Sequence, residues 1–237
     1  AGGATAAPFK THHNALDMDI YLRIAPELYL KELLVGGFNK VFEMGRNFRN
    51  EGIDVTHNPE FTMLEFYESY ADALKQEKTV EAMIRGVADN VLGTLSFAYG
   101  DETIDLRAPF ERISFYDLLK RDAGIDSHKS LSRDDCAEKA KALGVEVSKT
   151  DSREKILDNI YKKVSRPKLI RPTFIVDYPA GFSPFAKQKT DNPDLLDRFQ
   201  LAIGGLEIVN AFSELNDPLE QRARYVEQDK KKKAGEG

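Results

Sequence analysis

One cysteine, Cys136, stands in 237 residues. It has no partner for an internal disulfide, which points to a reducing, cytoplasmic compartment. No apolar run is long enough to span a bilayer, and the opening does not read as a signal peptide. Positive charge is not in excess: the net charge is -5. That gives no support for a generally basic nucleic-acid surface and leaves only a local patch open. Neither common Gly-rich phosphate loop is present, and no internal repeat is visible. What the chain does have is a globular balance, 41% hydrophobic and 31% charged, which excludes wholesale disorder. The length suits one large domain, or one domain with an insertion.

Residues 1–17 are Gly- and Ala-rich and then polar, as in a loop or sheet edge. MDIYLRI (18–24) alternates like a strand. Pro26 suits a helix start and Gly36-Gly37 a stop, so PELYLKELLV reads as a short helix. NKVFEMGRNFRN alternates again, GIDVTHNPE is rich in turn residues, and FTMLEFYES is a further strand. The simplest geometry is strand, loop, antiparallel strand. Residues 71–93 carry a helical apolar stripe, and TIDLRAPFERIS (103–114) returns to strand. From 113 to 170 the pattern is one of short helices, with Ser114 and Ser132 as N-caps and Gly124 and Gly144 as stops. PTFIVDYP is a strand, and LLDRFQLAIGGLEIVNAFSEL holds two strands joined at Gly204-Gly205. The end is a charged helix. The expected class is α+β, an antiparallel sheet flanked by helices, with a helical insertion. The chain opens on AGGA without an initiator Met and stops inside a helical pattern, and so reads as a fragment.

Two strands carry chemistry on one face. Side chains alternate along a strand, so Phe61, Met63, Glu65 and Tyr67 share a face, and Asn210, Phe212 and Glu214 share another. Either face alone fits an exposed surface with a few aromatics. Two matching faces favour a pocket floor, with aromatic walls and a few placed polar groups. Acids in such a pocket suit a cationic ligand, because a buried carboxylate needs a positive or donating partner. Arg49 and Glu51 sit where a strand leaves for its loop. There Arg49 can clamp a phosphate or carboxylate, or form an ordinary surface ion pair with little effect. His57 fits a phosphate contact or simple solvation, and Phe61 fits a ring stack or core. His12-His13 lack the spacing that completes a zinc site. The lysine run at 230–233 fits a solvated helix face better than a nucleic-acid contact.

Taken together, the segments AGGATAAPFKTHHNALDMDIYLRIAPELYLKELLVGGF, FRNEGIDVTHNPEFTMLEFYESYAD and RFQLAIGGLEIVNAFSELNDPLEQ resemble the catalytic domain of class II lysyl-tRNA synthetases. The likeness covers nearly the whole chain. FRNE-x5-HNPEFTMLE looks like that family's motif 2, a strand–loop–strand unit, and the helical insertion is also as in the family. The resemblance implies an incomplete catalytic fold: residues 1–112 form its first part with motif 2, 113–170 the insertion, and 171–237 its second part, ending before motif 3.

The resemblance also implies roles. Arg49 would bridge the ATP α-phosphate and the lysine carboxylate and is the expected catalytic residue. Glu51 would read the adenine amino edge, His57 would reach the far phosphates, Phe61 would stack on adenine, and Asn210 would help hold ATP. Gly3 and Glu27 would hold the lysine α-amino group. Glu65, Tyr67 and Glu214 would surround its ε-ammonium, and Phe212 would line the pocket. Glu207 would bind Mg2+, while Gln200 stands where the family usually has an acid. The expected partners are L-lysine, ATP and lysine tRNA, with a homodimer in the full-length protein and no membrane.

Two other readings compete. A paralogue that attaches a lysine-type group to elongation factor P shares motif 2. It typically lacks the AGGATA–THHN opening and much of the insertion, and both are present here. A non-catalytic binding module would suit Gln200, but Arg49, Glu51, His57, Phe61 and Glu214 are all in place against it.

Overall fold

A computed structural model describes residues 3–4, 6–126 and 131–233, with side chains described as far as 226. The side chains of the lysine run at 230–233 and the tail beyond it lie outside the described residues. The chain divides into two compact units at Ala71/Asp72.

The first unit begins with a polar hairpin. β1 (Lys10–His13) pairs antiparallel with β2 (Met18–Tyr21) in register His13↔Met18. Every residue of β1 is exposed, as an edge of KTHH composition requires. α1 (Glu27–Val35) starts after Pro26 and buries Leu30. Gly37, at φ 101°, turns the chain out of the helix. β3 (Lys40–Phe48) and β4 (Glu60–Glu68) then pair along their full length, from Lys40↔Glu68 to Phe48↔Glu60. The loop between them closes with Arg49 N–H donating to Pro59 O at 2.8 Å. α1 packs on this strand pair. The expected strand–loop–antiparallel strand is therefore present, with an uninterrupted register that decides which side chains share a face.

The second unit opens with α2 (Ala73–Leu92). Asp72 caps it by accepting from Lys75 N–H, and Gly93 ends it in the left-handed region. β5 (Ser96–Tyr99) and β6 (Glu102–Asp105) form a tight hairpin. The stretch 103–114, read as one strand, is in fact two: β6 ends at Asp105, and β7 (Glu111–Ser114) begins beyond Pro109, which has no N–H for a ladder. α3 (Phe115–Ala123), α4 (Arg133–Ala142) and α5 (Arg153–Ile160) follow, then a wide turn at Tyr161–Ser165 and a tight one at Arg166–Lys168. Ser114 and Ser132 cap α3 and α4 as expected, and Ser152 caps α5. β8 (Thr173–Val176), β9 (Arg198–Ile203), β10 (Leu206–Phe212) and α6 (Pro218–Lys233) complete the unit.

The main sheet has the order β10-β9-β8-β7. It is antiparallel except between β7 and β8, which run parallel. Parallel neighbours need a long crossover, and the helices α3 to α5 supply it. Phe115, Leu118 and Leu119 of α3 and Ile156, Leu157 and Ile160 of α5 form the core beneath the sheet with Ile175 and Tyr178.

Candidate functional site

In the first unit, the β3–β4 register places Asn47 opposite Phe61, Gly45 opposite Met63, Glu43 opposite Glu65 and Val41 opposite Tyr67. These eight residues share one face, the one that alternation singles out on β4. Tyr67 Oη donates to Glu65 Oε2 at 3.2 Å. Burial raises the Glu65 carboxyl above its usual range; Glu27 raises it further, while Tyr67, Arg49 and Lys31 oppose the rise. Arg23 crosses the space left by Gly45 and pairs with Glu43. Glu27, at the start of α1, accepts from Lys31 Nζ at 2.6 Å through Oε1. Its other oxygen lies toward Gly3, where a Cβ would come within 3.2 Å of it. Gly3, Glu27, Arg49, Glu65 and Tyr67 therefore belong to one neighbourhood of this unit.

Arg49 leaves β3 with its guanidinium 5.0 Å from the centroid of Phe61 and its Nε donating to Ile24 O at 3.3 Å. The stack fixes the plane of the fork, and the backbone contact uses only one nitrogen. One face of the Phe61 ring is thus covered by Arg49. Glu51 is exposed in the loop. His57 is exposed too, but its Nδ1 lies 2.8 Å from Asp54 Oδ2. Asp54 also accepts from the N–H and hydroxyl of Thr56, and these donors with His57 hold its carboxyl down to about 2. The loop histidine is oriented rather than freely solvated.

In the second unit, Asn210 pairs with Gln200 across β10–β9, and Phe212 pairs with Arg198. Asn210 Oδ1 accepts from Arg198 Nε at 3.1 Å, and the Arg198 guanidinium lies 4.6 Å from the Tyr178 ring centroid. Gln200 is buried, and its Oε1 accepts from the buried Tyr178 hydroxyl at 2.7 Å. Phe212 packs against the helical core, and Glu214 bridges backbone to Ala186. A bulge at Ile208 shifts the register, so that Glu207 pairs with Ala202. Strict alternation would put Glu207 opposite in sense to Asn210. The bulge returns it to the face of Gln200 and Asn210. Crowding by surrounding protein pushes the Glu207 carboxyl up even though it keeps solvent access, while Arg198, Lys162 and Arg166 oppose this.

Among the described residues, no group of three or more His, Cys, Asp or Glu gathers as a metal site, and His12 instead pairs with Asp17 and Asp19. Glu207 is the charged oxygen donor of its face, and the Gln200 amide oxygen is already engaged. One carboxylate fits a magnesium ion that substrate phosphates also hold, rather than an all-protein cage.

Several contributors went unnoticed in the sequence. Lys31 had a signal, its i, i+4 spacing from Glu27. Glu43 could have been placed by extending the hairpin register. Asn47 is buried opposite Phe61 with neither amide atom partnered among the described residues, and only its inward strand parity hinted at that. Arg198 and Tyr178 carried no local signal.

A family model described as tRNA synthetases class II (D, K and N) matches residues 1–236. The lysine–tRNA ligase of Pelotomaculum thermopropionicum is 52% identical over 237 residues, covering 99% of this chain and 47% of the relative. That of Moorella thermoacetica is 49% identical over 236 residues, covering 100% of this chain and 48% of the relative. That of Salmonella typhi is 49% identical over 236 residues, with 99% and 47% covered. The chain spans about half the length of the curated relatives it matches.

Proposed function

The chain belongs to the class II tRNA synthetases (D, K and N), and from that premise we propose that the protein carrying it activates L-lysine with ATP and transfers the lysyl group to lysine tRNA. The observation that carries this reading is the face of β4. There Glu65, held by Tyr67 and flanked by Glu27, forms an acidic cluster between aromatic walls. That chemistry selects a cation. The relatives named lysine–tRNA ligase support the choice of lysine within the family.

In the first step a lysine carboxylate oxygen attacks the α-phosphorus of ATP. The new acyl–phosphate bond forms as the bond to the bridging oxygen breaks, and pyrophosphate leaves. Two anions must meet, so positive charge and alignment dominate the barrier. Arg49 presents a fork fixed by Phe61 and Ile24, suited to the α-phosphate and the lysine carboxylate. The lysine carboxylate is already ionised at neutral pH, so no general base is needed. Phe61 would stack on adenine, Glu51 would read its amino edge, and the Asp54-oriented His57 would reach the far phosphates. Asn210, with its oxygen held by Arg198, offers its N–H2 to ATP. Glu207 would hold Mg2+ together with the triphosphate, where the ion neutralises phosphate charge. In the second step a terminal ribose hydroxyl of the tRNA attacks the lysyl carbonyl and AMP departs.

Gly3 and Glu27 would hold the α-amino group and Glu65 and Tyr67 would receive the ε-ammonium; Phe212 and Glu214 are added to that pocket on the family resemblance alone. An uncharged analogue would leave these carboxylates unpaired, which sets the specificity. We assign 1–112 and 171–237 to the catalytic domain and 113–170 to its helical insertion, in line with the helices that join β7 to β8. A cytoplasmic homodimer completes the proposal, and the one cysteine of the chain, buried and unpaired, suits a reducing compartment. Among the described residues no helix is long and apolar enough to cross a membrane.

Lysine-dependent exchange of pyrophosphate into ATP tests the reading, with Arg49→Ala as control. Exchange that requires lysine and is lost in the variant supports it. An absence of lysine-dependent exchange in the full protein overturns it. Charging of lysine tRNA, set against modification of elongation factor P, separates the synthetase from its paralogue.

A further inference from the structure

Lys31 places a resident positive charge inside a face built to receive one. Its Nζ donates to Glu27 Oε1 at 2.6 Å and lies 5.8 Å from the centroid of the Tyr67 ring. Tyr67 in turn donates to Glu65. One ammonium therefore bonds Glu27, assigned to the α-amino group, and lies over the ring of Tyr67, which itself donates to Glu65, assigned to the ε-ammonium.

An i, i+4 pair on an exposed helix face contributes little. This pair is not on such a face. The side chains of Lys31 and Glu27 retain 29% and 15% of their exposure. The geometry also divides the Glu27 carboxylate: Oε1 is committed to Lys31, and Oε2 lies toward Gly3. A carboxylate anchored by one oxygen presents the other in a fixed direction.

We propose that Lys31 is a positioning residue of the amino-acid pocket, holding Glu27 so that Oε2 meets the substrate α-amino group at Gly3. The inference rests on the lysine-activation reading and deepens it.

Several charged groups face Glu65. Glu43 stands opposite it on β3, with its charge matched by Arg23. Glu27 and Lys31 face it from α1, Arg49 from the end of β3, and Tyr67 from its own strand. Burial and Glu27 favour the protonated acid, while Tyr67, Arg49 and Lys31 favour the carboxylate. Without Lys31, one cation is lost and Glu27 becomes an unmatched negative neighbour. Both changes push the Glu65 carboxyl up, so that ionising it for lysine requires a higher pH.

The test compares Lys31→Met and Lys31→Arg in the full protein by lysine-dependent pyrophosphate exchange across a pH series, with calorimetric lysine binding as a second readout. Lys31→Met is expected to raise the lysine KM by about tenfold or more, as loss of a charged hydrogen bond does. ATP KM stays within about twofold, which also shows a folded site. The acid limb of kcat/KM for lysine moves to higher pH, and Lys31→Arg restores most of both effects. An unchanged lysine KM and acid limb in Lys31→Met overturns the inference. So does a parallel loss of lysine and ATP affinity that Lys31→Arg does not repair, since that marks a purely structural role. If the wild-type protein shows no lysine-dependent exchange, the functional reading itself falls and takes the inference with it.

Discussion

Glu43 and Glu65 stand directly opposite each other across β3 and β4. Like charges in that position repel, and the fold treats them differently. Arg23 matches Glu43, while Glu65 has the neutral Tyr67 hydroxyl as its hydrogen-bond donor and is pushed towards its protonated form by burial. Among the described residues Glu65 therefore has no ion-pair partner within hydrogen-bond reach, with Arg49 and Lys31 acting on it only from a distance.

Glu65→Gln is therefore expected to separate stability from function. The carboxyl is raised in the folded protein, so its favourable contribution is present at low pH and is lost as pH rises through the folded value. At pH 7 the ionised acid is a cost, and the amide removes it. Thermal unfolding should move up at pH 7, and the gain should vanish near pH 4. Lysine KM should rise about 10- to 100-fold, as expected for a lost hydrogen bond to a charge, with ATP KM little changed. A variant that loses stability at pH 7 would contradict this account.

Gly3 makes a sharper geometric prediction. Its φ is 101°, and a Cβ there would lie 2.8 Å from Glu27 Cβ. Gly3→Ala must move Glu27 or the chain, a strain of about 1–3 kcal/mol. Lysine affinity, measured by calorimetry, should fall by about 5- to 100-fold, while the fold measured by circular dichroism stays intact.

What was legible in advance depended on locality. The face of Phe61, Met63, Glu65 and Tyr67 follows from alternation alone, and the hairpin register needed only two matched strands and a turn-rich loop. The caps Ser114 and Ser132 are equally local. The parallel pairing of β7 with β8 was not legible, because the partners are separated by the whole helical crossover and no residue of either strand names the other. Glu207 shows the same limit at small scale. The bulge at Ile208 reverses its parity, and no residue type in LEIVN announces a bulge. Its site role therefore came from resemblance, while its face came from structure.

Arg112 supports the second unit through a buried acid. Its Nε and Nη2 donate to the two oxygens of Glu77 at 2.7 and 3.2 Å, and Glu77 is 5% exposed. Burial raises the Glu77 carboxyl, and Arg112 is the main influence that lowers it. Arg112→Leu removes that influence, so the raised carboxyl moves further up and the pH window in which stability is lost extends towards neutrality. Denaturant unfolding should show a loss of about 1–3 kcal/mol at pH 8 and a smaller loss at pH 5, where the acid takes a proton. Adding Glu77→Gln to Arg112→Leu should flatten the pH dependence.

Gln200 is where the proposed Mg2+ site can be tested. It is buried, accepts from Tyr178 at 2.7 Å, and lies on the face that the bulge returns to Glu207. Gln200→Glu keeps an acceptor for Tyr178 but exchanges the amide N–H2 for a second carboxylate oxygen. A buried acid at 200 sharing a face with Glu207 disfavours ionisation of both, so the variant without metal should unfold earlier than the parent at pH 8, with the gap closing at pH 5. A divalent cation reverses that balance, because it is attracted by the charge that destabilises the empty face. The Mg2+ concentration giving half-maximal pyrophosphate exchange should therefore fall in Gln200→Glu, and Mg2+ with ATP should stabilise the variant more than the parent. An unchanged Mg2+ titration would place Gln200 outside the metal's reach and leave its amide as a partner for Tyr178 alone.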